Sequence, residues 1–180
     1  MSGSHRAVTQ DRVPQERIDK VWNIPEFGNE DSDHLDLVSD VLGSGKTSRL
    51  YKRLVYDDQI ATSAAAFVNP REIGGQFELT AMARPGVDLA KVEKALEEEL
   101  SRFLKDGPTP KEVERVRTEY LANFIRGVDR IGGFGGKSDV LAQSQVYLGD
   151  PAAYQTKLER VRTATQIGRA ACRERVLRLV

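Results

Sequence analysis

The order of periodicities in this 180-residue chain predicts an α+β fold, with an antiparallel or mixed sheet and helices packed on one face. Three observations carry that prediction. Segments of period two occur near the start and twice more in direct succession, which suits a hairpin rather than a β-α-β crossover. Segments of helical period fill the gap between them and the whole second half. The length suits one domain, and no internal repeat of 20–50 residues divides it.

Composition sets the limits. With 27 Lys+Arg against 27 Asp+Glu the net charge is zero, which argues against a nucleic-acid surface built on excess base. A lone cysteine, Cys172, excludes an internal disulfide framework, and two distant histidines, His5 and His34, are too few for a His-based zinc site. The N-terminal MSGSHRAVTQDR is polar and has no apolar core, so it reads as neither signal peptide nor membrane anchor. No run approaches the ~20 apolar residues of a membrane span.

Taken in order, residues 1–12 form a disordered or cloning-derived leader. Arg17–Ile24 alternates, with Ile18, Trp22 and Ile24 on one face and Val21 on the other, and reads as a strand closed by Pro25. Asp31, Ser32 or Asp33 is then the N-cap of a helix carrying Leu35, Val38, Val41 and Leu42, with His34 in its first turn and Gly43 as its C′ residue. Ser44–Thr47 connect to a second helix capped by Thr47 or Ser48, with Leu50, Tyr51, Leu54 and Val55 as its stripe. Ile60–Val68 is a strand whose alanines let another layer approach closely, which makes it a candidate for the sheet's centre. Phe77, Leu79, Ala81 and Ala83 alternate with polar partners as its hairpin mate.

The second half is helical. Asp88 caps a helix with Leu89, Val92, Leu96, Leu100 and Phe103 inside and the run Glu97-Glu98-Glu99 solvated. Thr109-Pro110-Lys111-Glu112 is a capping box with proline at N1, opening a helix striped by Val113, Val116, Tyr120, Phe124, Val128 and Ile131. After Gly132–Gly136, Ser138 or Asp139 starts another helix, and Tyr154, Leu158 and Val161 carry a last short one. Residues 167–180 are a doubtful tail. Ile167, Ala170, Ala171 and Val176 suit one more helix, yet the segment also resembles a sequencing adapter translated in one frame.

Nucleotide binding fails on spacing. Gly45, Lys46 and Thr47 suggest a phosphate loop, but the glycine such a loop needs five residues before Gly45 is Asp40, and a helix rather than a strand precedes it. The glycines around Phe134 have no G-x-G-x-x-G frame either.

From Val13 to Gln166 the chain resembles the C-terminal, non-catalytic domain of pitrilysin/insulinase-type zinc peptidases, in particular their bacterial short-subunit branch. The residues are Asp33-His-Leu-Asp-Leu37 with Leu42-Gly43, Gly45-Lys-Thr-Ser-Arg-Leu-Tyr51 and Pro85-Gly-Val-Asp88. Gly107-Pro-Thr109 with Glu112 and Glu114, Phe124-Ile-Arg-Gly127, Gly132–Gly136 and Tyr147-Leu-Gly-Asp-Pro151 complete the set. The resemblance implies a mitochondrial-processing-peptidase-like fold that walls a peptide chamber. It also implies an N-terminal zinc-binding domain, a second homologous subunit, or both as partners, with peptide as substrate. Bacterial relatives often work outside the cytoplasm, including the periplasm, though no signal here locates the chain.

The family's chemistry needs H-x-x-E-H on a helix, two imidazoles holding zinc and a glutamate activating its water. That motif is absent from this sequence, so no catalytic, metal-ligating or cofactor-binding residue is assigned, and zinc is expected in the missing partner domain. Family domains of this type also supply an arginine and a tyrosine, seven residues apart, that bind the scissile carbonyl. Here those positions hold Val55 and Thr62, the two substrate-chamber positions the resemblance marks. Arg49 and Tyr56 mimic the spacing but sit six residues early. The resemblance therefore implies a substrate-enclosing, non-catalytic domain of a zinc metallopeptidase, whose strand from Ile60 faces the chamber and adds a peptide as an extra strand. The alternative is a catalytically inactive structural or assembly subunit of the same fold.

Overall fold

The computed structural model describes residues 3–164. The doubtful tail, with Gln166, Ile167, Ala170, Ala171, Cys172 and Val176, lies outside them. Among the described residues a three-stranded antiparallel sheet is built from β1 (Arg17–Ile24), β2 (Ala61–Pro70) and β3 (Gly75–Ala83), in the order β1-β3-β2. The expected antiparallel α+β architecture is what forms.

The hairpin mate β3, not β2, is the central strand. Its residues pair with both neighbours, Leu79 opposite Lys20 and Ala66, and Phe77 opposite Trp22 and Val68. β3 alternates as expected, with Phe77, Leu79, Ala81 and Ala83 buried. The alanines of β2 do bring another layer close, but that layer is a helix and not a further strand.

That helix is α1 (Glu30–Gly43), which packs on β2. Its cap is Asn29, whose Oδ1 accepts the Asp31 N–H at 3.0 Å. The three predicted caps lie inside the helix instead. Ser32 Oγ donates to the Pro25 carbonyl at 2.8 Å, and Asp33 is buried against a cation. Gly43 is helical rather than a left-handed C′ residue. It is glycine because the chain touches β2 there: an added Cβ would lie 1.9 Å from the Ala66 nitrogen and 2.5 Å from the Ala65 carbonyl carbon. Steric approach, not backbone handedness, fixes this position.

The second predicted helix begins helically at Arg49 and continues as a π-helix, Tyr51–Asp57. It has no side-chain cap, because Ser48 Oγ donates back to the Gly45 carbonyl at 2.7 Å. α2 (Leu89–Asp106) is capped by Asp88 as predicted and buries Val92, Leu96, Leu100 and Phe103 on the same sheet face as α1. The acidic run is not wholly solvated: Glu99 is buried and accepts from Arg102 Nη1 at 2.9 Å. Lys20 on β1 reaches α2 through Glu93 and Glu97.

α3 (Pro110–Val128) and α5 (Tyr154–Thr163) form a second layer against α1 rather than against the sheet, and α4 (Lys137–Leu148) leans on both. The α3 stripe is buried at Val113 and Val116, but the helix ends before Ile131, which is 81% exposed. Gly136 is the N-cap of α4, and Asp139 accepts the Gly135 N–H at 2.9 Å. Among the described residues no helix lies on the opposite sheet face, where Val21 and Phe67 are exposed on either side of Glu78.

One cluster ties the two halves together. In the capping box, Glu112 Oε2 accepts the Thr109 N–H at 2.7 Å while Thr109 Oγ1 accepts the Glu112 N–H at 3.3 Å. The same carboxylate receives a fork from Arg49, Nε to Oε1 at 2.7 Å and Nη2 to Oε2 at 2.8 Å. Arg49 Nη2 also donates to the Gly107 carbonyl, and the guanidinium stands 5.1 Å from the Phe103 ring centroid. Burial alone would raise the Glu112 carboxyl, but Arg49 and the two Thr109 donors pull it down to about 2.

Two outcomes follow. Gly43→Ala should lower the urea midpoint by the equivalent of about 2–3 kcal/mol, since backbone must move to admit the methyl. Arg49→Ala should cost roughly 2–4 kcal/mol and return the Glu112 titration, followed by carboxyl NMR, toward the ordinary range. The depressed Glu112 contributes stability at neutral pH that is lost as pH falls from about 4.5 through about 2.

Candidate functional site

Val55 and Thr62 flank a corner in which three backbone irregularities follow one another. The π-helix carries Leu54 inward as a fully buried side chain and leaves Val55 partly buried against the core. Its end is closed by two long-span bonds, Asp58 N–H to the Arg53 carbonyl at 2.9 Å and Ile60 N–H to the Leu54 carbonyl at 3.0 Å. Gln59 then adopts φ 52°, the one non-glycine residue in the left-handed region among those described. Finally, Ala61 pairs with Ala83 but Ser63 pairs with Met82, so Thr62 is the extra residue of a β-bulge.

Each irregularity re-aims the chain. π-turns and bulges both cost regular hydrogen bonding and cluster where side chains must point away from the default direction. Thr62 is exposed, and its hydroxyl makes a long contact of 3.4 Å to the Met82 carbonyl. Arg53 braces the corner from outside through Asp58 and Glu98, and Arg84 Nε donates to the Ala61 carbonyl at 3.3 Å. The corner presents one apolar side chain and one weakly engaged hydroxyl. Neither can donate the pair of strong hydrogen bonds that an oxyanion requires.

The mimics are not brought together. Arg49 is committed to Glu112, Gly107 and Phe103, and Tyr56 is 73% exposed at the surface. Lys46 is exposed in a loop that follows α1 and not a strand, which leaves the phosphate-loop reading without its scaffold. No group of three or more histidine, cysteine or acidic side chains is placed to hold a metal ion among the described residues. Nor is any helix among them long and apolar enough to cross a membrane. A shallow cavity of about 320 Å³ between α3 and α5, lined by Leu121, Phe124, Leu158 and Arg162 among others, contains neither Val55 nor Thr62.

The sequence reading missed an ionic row on α1. Asp33 and Asp36 face α5, where Arg160 Nη1 meets Asp33 Oδ2 at 2.6 Å and Lys157 Nζ meets Asp36 Oδ2 at 2.8 Å. Lys157 also stands 5.3 Å from the Tyr120 ring centroid of α3. The signal was there: aspartates three apart on one helix and cations three apart on another.

Comparison with known proteins places this geometry. The family model described as the peptidase M16 inactive domain matches residues 2–120. The zinc protease PqqE of Helicobacter pylori is 26% identical over 146 residues, which cover 80% of this chain and 33% of that protein. The crystal structure of a protease from Helicobacter pylori superposes with a TM-score of 0.76 at 23% identity, covering 87% of this chain and 37% of that one. The periplasmic protease PqqL from Escherichia coli superposes with a TM-score of 0.73 at 12% identity, covering 96% and 19%. The chain spans about a third of the length of the Helicobacter relatives. At these identities the superpositions speak for the fold, while the family model speaks for descent: this chain belongs to the peptidase M16 inactive-domain family, the non-catalytic domain of zinc metallopeptidases.

Proposed function

We propose that residues 13–166 are the substrate-enclosing half of a zinc metallopeptidase. On this reading the zinc and its catalytic water belong to an N-terminal domain or a homologous subunit, and this chain supplies a wall of the peptide chamber. The observation that carries it is the corner at Val55 and Thr62. Its backbone is costly, a π-helix, a left-handed Gln59 and a bulge, while its two side chains cannot stabilise an oxyanion. Such a corner suits a surface that holds peptide while a partner supplies the electrostatic role. The periplasmic relative supports an extracytoplasmic setting for the parent protein.

The test uses the chain alone and then joined to its zinc-bearing half. Alone it should hold substoichiometric zinc and leave fluorogenic peptides uncut. In the joined protein, Thr62→Trp should raise KM for such a peptide about tenfold with kcat little changed, since an exposed bulge position takes the ring without refolding. Stoichiometric zinc with proteolysis by the isolated chain would overturn the reading, as would an unaltered KM in the variant. A joined protein that binds no zinc would favour the scaffold reading, an assembly subunit that kept the fold without the chemistry.

A further inference from the structure

Helix α1 presents Asp33, Asp36 and Asp40 on one face, and the three are not treated alike. Arg160 and Lys157 of α5 neutralise the first two. Asp40, in the last turn, has no ion-pair partner among the described residues. It lies at the negative end of the helix dipole, and that turn contains no basic residue.

Across from it stands a complementary defect. Arg115 of α3 is held by Glu119, Nη1 to Oε2 at 3.0 Å, and its Nη2 is buried without a hydrogen-bond acceptor. A half-buried carboxylate short of countercharge thus faces a guanidinium short of an acceptor, across the contact of α1 with α3. The other charges around Asp40 do not relieve it. Its own helix adds Asp36 and α3 adds Glu119, both repelling, while Lys157 of α5 is already spent on Asp36. β2 contains no titratable residue, and Glu78, the one in β3, sits on the opposite sheet face between buried Phe77 and Leu79.

We propose that the contact between the last turn of α1 and α3 is a proton-operated latch, closed while Asp40 carries a proton and rearranged when the ionised carboxylate draws Arg115 away from Glu119. Burial, and then Asp36, push the Asp40 carboxyl up to about 6, with the Ser44 hydroxyl and Arg115 opposing. A raised carboxyl favours the protonated fold. Its contribution is therefore complete below about pH 4 and is lost as pH rises through about 6. The latch precedes the candidate site in the chain: the Ser44 N–H bonds the Asp40 carbonyl, and the backbone runs from there into the π-helix and on to Thr62. Mild acid holds the contact between α1 and α3; neutral pH loosens it.

The experiment is a carboxyl-carbon NMR titration of the whole chain, with urea midpoints measured from about pH 5 to pH 7, on wild type, D40N and R115Q. In wild type one aspartate should titrate near 6, and the unfolding constant should rise about tenfold across that range. D40N should remove both the resonance and that part of the slope, the difference isolating Asp40 from every other group. R115Q should move the titration upward by about one unit. An Asp40 that titrates in the ordinary aspartate range, or a D40N slope equal to wild type, would refute the latch. An R115Q variant with the wild-type midpoint would refute Arg115 as its receiver.

Discussion

The bond between Arg49 and Glu112 ties the segment that leads to the corner to the start of the second helical layer. Arg49 opens the helical segment that leads to the corner, and Glu112 closes the first turn of α3. Between them lies Gly107, at φ 74°, where α2 stops and turns. A single carboxylate thus satisfies two donors at Thr109 and a guanidinium fork at once. Charge-assisted bonds of this kind, half-shielded and geometrically fixed, specify an arrangement more than they add net stability. Without the fork, the π-helix would still bury Leu54, but its direction relative to the second layer of helices would lose a charge-assisted brace.

That direction matters because the corner is a set of backbone choices rather than a set of reactive groups. π-helix, left-handed Gln59 and bulged Thr62 are each less favourable than the regular alternative. They persist because Leu54 and Ala61 are fully buried on either side and because Arg53, Arg84 and Arg49 brace the chain between them. The shape is over-determined by its surroundings and asks nothing specific of the side chains at positions 55 and 62.

Much of this was legible in the sequence wherever one local rule decided the outcome. Thr109-Pro110-Lys111-Glu112 needs only its own residues to form a capping box, and the alternation of Phe77 to Ala83 needs only a sheet with one buried face. The errors arose where tertiary contact chose between equivalent local options. Asp31, Ser32 and Asp33 all looked able to cap α1, yet Asn29 holds the place, and Ser32 and Asp33 have partners elsewhere. Gly43 looked like a helix terminator but answers to the backbone of β2. Strand order had no local signature, since small residues on β2 describe a close helix as well as a central place. The π-helix, the bulge and the Asp40–Arg115 mismatch likewise depend on what lies opposite, which spacing alone cannot tell.

The sheet's connectivity has a kinetic side. β2 and β3 are joined by the short turn at residues 71–74, whereas β1 reaches β3 only after roughly fifty intervening residues have been gathered in. Chain entropy makes that second closure about 2 kcal/mol more expensive than the first. β1 is thereby the last strand to arrive and the first to leave. Its departure would strip one side of the central strand and uncover the face of Trp22 and Phe77, a bared edge of the kind through which neighbouring molecules exchange strands.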